Sequence, residues 1–129
     1  MRKSQSAVEF IMLVSFMLIV IVGFYFLTTS KISEAREESD REIAKDIANM
    51  AYREIETALS MNDGYKREFT MPSKVNGVDY SITLIDNKEI TVNYLGYEYI
   101  RFIPSSVTGT IAKSRNTIYK NNGVVFINP

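Results

Sequence analysis

Between Lys3 and Lys31 the chain carries one charged side chain, Glu9, and the twenty residues from Phe10 to Thr29 are dominated by Ile, Leu, Val, Phe and Met. Ser15, Gly23 and Tyr25 interrupt the run before the closing Thr28-Thr29. A helix that is apolar on every side is stable in lipid or in the middle of a helical bundle. At about 1.5 Å per residue this stretch covers roughly 30 Å, the depth of a bilayer's hydrocarbon layer. Glu9 then stands at the edge of a membrane span. A carboxylate there is costly, by roughly 2.5–3.5 kcal/mol at the span centre and less near the interface. That cost calls for a partner.

The flanks give the span a direction. Arg2, Lys3 and the initiating amine precede it, whereas beyond it Lys31 is soon followed by Glu34, Glu37 and Glu38. The positive-inside tendency places Met1 in the cytoplasm and the residues after the span outside. A length of 129 residues leaves room for the helix and one small domain. Such a domain, of roughly 70 residues, lies near the lower limit for a self-sufficient core, so lateral contacts with other copies matter to it.

Composition removes several function classes. Fifteen basic and fifteen acidic residues balance, which gives no global pull toward nucleic acid. The chain has neither Cys nor His. Disulfide staples, catalytic triads, thiol nucleophiles and zinc sites of the usual kind are thereby excluded. No cofactor, metal or enzymatic activity is expected. None of the asparagines has Ser or Thr two residues on, so the common glycosylation acceptor is missing.

From Lys31 to Ser60 the pattern stays helical. Ile32, Ala35, Ser39, Ile43, Ile47, Met50, Ala51, Ile55, Ala58 and Leu59 recur at three- and four-residue steps and form one stripe. Arg36, Glu37, Asp40, Arg41, Lys45, Asp46, Arg53 and Glu56 lie opposite, with Glu37 and Arg41 spaced for an attractive pair. The first strong break is Asn62-Asp63-Gly64. One helix is therefore expected from about Gln5 to Met61; the alternative is a bend near Thr28-Thr29-Ser30 that separates an anchor from an amphipathic helix.

After Gly64 the period changes from about four to two. Arg67–Met71 and Lys74–Asn76 read as strand pieces around an Asn76-Gly77 hairpin turn. Val78–Leu84 and Ile90–Tyr94 alternate around Asp86-Asn87-Lys88, and Tyr97–Ile103 runs on from the Gly96 interruption to Pro104. Val107–Lys113, with Gly109 as a bulge, and Thr117–Lys120 turning through Asn121-Asn122-Gly123 into Val124–Ile127 complete an antiparallel meander. The fold class is α+β, with a long N-terminal helix over 5–61 whose amphipathic half packs on an antiparallel β domain over 62–129. Tyr65, Tyr80, Tyr94, Tyr97 and Tyr99 are expected chiefly to fill half-buried sheet faces; the alternative is a sticky surface.

The run Ser4-Gln5-Ser6-Ala7-Val8-Glu9-Phe10-Ile11-Met12-Leu13 resembles the class III signal sequence of archaeal type IV pilin-like proteins. In that family a short basic leader precedes a Gln that becomes the mature N-terminus, with a Glu four residues later and a Leu four later again. Gln5, Glu9 and Leu13 stand at those positions; Ser4 replaces a common Gly and Ala7 a common Ser. The resemblance implies that a prepilin peptidase removes residues 1–4 by cutting between Ser4 and Gln5 at the cytoplasmic face. The retained span, over 10–29, would then leave the membrane and pack into a helical homo-oligomeric filament with the help of the pilus assembly machinery. Its core would be built by Phe10, Ile11, Leu13, Val14, Phe16, Leu18, Ile19, Ile21, Phe24, Phe26 and Leu27. The mature Gln5 amine would neutralise Glu9, in the same or an adjacent subunit.

The implied protein is a surface pilus subunit for adhesion or attachment, held in the cytoplasmic membrane as a precursor. Two other readings keep the span in different roles. A membrane-anchored extracellular binding protein would not polymerise, and a secreted domain would be cut near Thr28-Thr29-Ser30. Neither accounts for Glu9.

Overall fold

The computed structural model describes residues 2–129. Its elements are one helix, α1 (Arg2–Ser60), and seven strands, β1 (Lys66–Thr70), β2 (Tyr80–Ile85), β3 (Glu89–Tyr94), β4 (Tyr97–Phe102), β5 (Val107–Gly109), β6 (Arg115–Asn121) and β7 (Val124–Ile127). The α+β class and the single long helix agree with the sequence. The chain divides into two compact units, one ending at Glu38 and the other covering Ser39–Pro129.

The helix does not break at Thr28-Thr29-Ser30. Thr28 donates its hydroxyl to the Phe24 carbonyl at 2.8 Å, and Thr29 donates to that of Tyr25 at 2.5 Å. Both hydroxyls are satisfied within the helix, which removes their usual incentive to open it. The helix has no basic residue of its own in its last turn. Lys120 of β6 fills that place, donating its ammonium to the Leu59 and Met61 carbonyls at 2.8 Å each. A cation at the negative end of the helix dipole thus satisfies acceptors that lack helical partners.

In the second unit, one stripe of α1 enters the core: Ala44, Ile47, Ala48, Ala51, Ile55 and Ala58 are each at most 1% exposed. The steps between them follow helix periodicity. The observed stripe corrects the expected one at its edges. Ile32, Ala35, Ser39 and Met50 are exposed, while Ala44 and Ala48, absent from the expectation, are buried. Four alanines carry little bulk, so sheet side chains such as Ile90, Val92, Ile118 and Val125 can close over the helix.

The strands form two sheets where one antiparallel meander was expected. The first, in order β2-β3-β4, is that meander. The second, in order β1-β6-β7-β5, is mixed, because β5 pairs with β7 in parallel, Val107 opposite Val125. Parallel neighbours need a long connection, and β6 lies within the one that joins β5 to β7.

Turn chemistry fixes the hairpins. Asp86-Asn87, Leu95-Gly96 and Asn122-Gly123 all have positive φ at both positions, the geometry whose twist matches paired strands. Asn76-Gly77 also turns this way, but only Val75 and Val78 pair across it, so the expected Lys74–Asn76 strand reduces to an isolated bridge. The expected strand from Val107 to Lys113 stops at Gly109. Gly109 has φ +123°, and a Cβ there would stand 1.7 Å from the Ile127 carbonyl oxygen. Only glycine fits that approach.

One buried polar residue organises the chain's last strands. Asn116 is fully buried, and its amide donates to the Ala112 and Ser114 carbonyls at 2.8 and 3.0 Å. Its oxygen accepts from the Ala112 amide at 2.8 Å and from Asn128 at 2.6 Å. Asn128 in turn accepts from the Thr117 amide at 2.8 Å. Every polar atom of Asn116 has a partner, as burial requires.

Candidate functional site

The residues singled out in the sequence all lie in the first unit, on α1. Ser4 and Gln5 fall in its first turns. Met1, with its expected cytoplasmic placement and its part in the 1–4 leader, lies outside the described residues. Gln5, Glu9 and Leu13 follow at four-residue steps, which puts them along one ridge of the helix. Glu9 is exposed, and its carboxylate has no ion pair or side-chain hydrogen bond among the described residues.

From Phe10 to Leu27 the apolar surface is bare on all sides. Phe10, Ile11, Leu13, Val14, Phe16, Leu18, Ile19, Ile21, Phe24, Phe26 and Leu27 range from 40% exposed at Val14 to 71% at Ile19. None of this stretch is buried among the described residues. By length and composition the helix can cross a membrane. Burying each large side chain is worth about 1.5–3 kcal/mol, so the segment strongly favours lipid or other helices over water. Tyr25 packs edge-on against Phe26 with ring centres 6.2 Å apart.

The second unit places the tyrosines in two groups. Tyr80 and Tyr94 are buried, with hydroxyls donating to the Pro72 and Val75 carbonyls. Burial, followed by the neighbouring Asp79 charge, pushes the Tyr80 hydroxyl pKa up. These two fill the sheet face as expected. Tyr52 and Tyr97 instead meet arginines: Arg101 lies over the Tyr52 ring at 4.1 Å, and Arg41 over the Tyr97 ring at 5.5 Å. Arg41, expected to pair with Glu37, is thus engaged on an aromatic ring. Arg101 also donates to Asn49 at 3.1 Å, which ties β4 to the helix.

An open depression of about 430 Å³ lies beside Arg41, Ala44, Tyr97 and Tyr99. Gly96 and Glu98 complete its lining, so the ionisable groups there are Arg41, Glu98 and the two tyrosines. Among the described residues no group of three or more Asp or Glu side chains stands ready for a metal ion. Sequence reasoning passed over the Arg–Tyr contacts, because they join residues 49 to 56 positions apart and no local pattern marks them.

Comparisons with protein-family models, curated proteins and solved structures return no match to this chain.

Proposed function

We propose that this chain is a structural subunit of an archaeal type IV-like pilus, processed by a prepilin peptidase and polymerised through its apolar N-terminal helix. One observation carries the reading. The helix is apolar and exposed all round from Phe10 to Leu27, and the Glu9 carboxylate at its head has no ion pair or side-chain hydrogen bond among the described residues. A single segment of this kind serves two environments: lipid before assembly, and a bundle of identical helices afterwards. Its function is mechanical and adhesive, and the chain carries out no catalysis.

Processing has a physical rationale at the helix start. Arg2 and Lys3 place two cations at the positive end of the helix dipole, and no acid occupies the first turn to offset them. Cutting before Gln5 removes both and leaves one terminal amine. That amine lies a turn from Glu9 in the same chain and can meet the Glu9 of a neighbour in a bundle. A buried carboxylate is tolerated only with such a partner.

Two measurements test the reading. N-terminal sequencing of filament protein from a host with the peptidase is expected to begin at Gln5; filaments whose subunits still carry residues 1–4 would sink the processing step. Glu9→Gln should insert into membranes as well as the wild type, or better, yet lower filament yield about tenfold, the loss of one charge-assisted bond of about 1.4 kcal/mol or more. Normal yield would exclude the amine-to-Glu9 contact.

A further inference from the structure

The outward faces of the two sheets carry unlike surfaces. In the β2-β3-β4 sheet the register sets Ile85, Glu89 and Phe102 in one row and Thr83, Thr91 and Ile100 in the next. Burial alternates along these strands, so both rows point away from the core positions Ile82, Ile90 and Val92. Phe102 is 70% exposed, Ile100 44% and Ile85 41%. The charged side chains on that face are Glu89 and Glu98. Neither has an ion pair or side-chain hydrogen bond among the described residues.

The outward face of the β1-β6-β7-β5 sheet has the other sign. Lys66, Tyr119 and Phe126 form one row across β1, β6 and β7. The Tyr119 and Phe126 rings stack at 5.1 Å, 17° from parallel. On the same face Arg115 pairs with Glu68 at 3.8 Å, which leaves Lys66 as the uncompensated cation beside the aromatic pair. On this face Tyr119 and Phe126 are half-buried and Val124 is exposed, whereas on the other face Phe102, Ile100 and Ile85 are exposed. Apolar surface gathered in this way marks an interaction surface, and the two faces carry opposite charges at their rims.

We propose that these faces meet between successive copies of this chain, the apolar, acidic face of one subunit seating on the aromatic, basic face of the next. The inference rests on the filament reading and adds the surface through which the β domains join. Two different patches on one subunit make a head-to-tail contact, which repeats along an open filament instead of closing a pair. Phe102 and Ile100 lose apolar surface to water against Tyr119 and Phe126, while Glu89 and Lys66 select the face and the register.

The chain has no cysteine, so introduced thiols report on single positions. Thr83 and Asn121 are exposed on the two faces beside the proposed contact and carry none of it. Full-length T83C/N121C, assembled into filaments and treated with a flexible bismaleimide, is expected to give a ladder of covalent oligomers, and neither single variant should do so. A dimer from T83C alone would replace the head-to-tail contact by a two-fold one and overturn the proposal. Filaments of normal yield without a ladder would overturn the surface and leave the filament reading standing. Failure of the wild-type chain to form filaments at all would overturn that reading itself. As an independent readout, E89K and K66E should each lower filament yield about tenfold, and the combined swap should restore it; equal loss in the double variant would overturn the pairing.

Discussion

Helix α1 exposes every described residue before Asp40, and buries six after it. The difference runs against a simple ranking by hydrophobicity, since the exposed part is rich in Phe, Ile and Leu and the buried part is chiefly alanine. Placement follows from the pattern of the surface and the bulk of its side chains. An apolar stripe on one side can be covered by two small sheets, and alanines let those sheets close in with little side-chain entropy lost. The half that is apolar all round is left uncovered by those sheets, and lipid or a helical bundle is the kind of environment that stabilises such a surface.

The sharpest way to break this contrast is Gly109→Ala. The new methyl overlaps the Ile127 carbonyl in a backbone region unsuited to L side chains, and about 4 kcal/mol or more of stability should go. Chemical denaturation of the full chain in detergent is expected to show the β signal lost early and the helical signal of the span retained. Joint loss of both would contradict the independence of the two regions. A second pair of variants compares the helix with itself. Ala48→Leu should destabilise the β unit by about 1–3 kcal/mol through overpacking, because Ala48 has no exposed surface. Leu18→Ala, on the bare half, should leave that same transition within about 0.5 kcal/mol of the wild type.

The smallest effect concerns Asp79, whose carboxyl is held below its ordinary range by a hydrogen bond from Lys113 and then by that residue's charge. The folded pKa is depressed, so any stabilisation is present above the unfolded value and fades as pH falls through the folded one. Thermal melts of Asp79→Asn and wild type should differ slightly at neutral pH and converge below about pH 4. A gap that widened in acid would reverse the sign.

Much of this was legible in the sequence because it is local. The uncharged stretch after Glu9 announces a span, and the Asp86-Asn87 and Asn122-Gly123 turns supply residues that accept positive φ where hairpins need it. The missing features are those in which distant residues decide the outcome. Ala44 and Ala48 were overlooked because alanine is a weak hydrophobic signal, although their spacing to Ala51 and Ile55 was available. Asn116 lies in step with the buried Ile118, but a polar side chain gives no local sign that its position belongs to the core. The parallel β5–β7 pairing has no local signature. The positions of Gln5, Glu9 and Leu13 are equally plain, whereas the role proposed for them lies in contacts beyond one chain.

The ammonium of Lys120 at the end of α1 has a consequence for time. Synthesis delivers the helix first and its C-terminal cap sixty residues later, on the same strand that pairs with β1. Until β6 emerges, the last carbonyls of the helix face water, β1 has no neighbour, and the mixed sheet cannot close. On the proposed reading the apolar segment is in place while the β unit is still unfinished, which separates insertion from folding along the direction of translation.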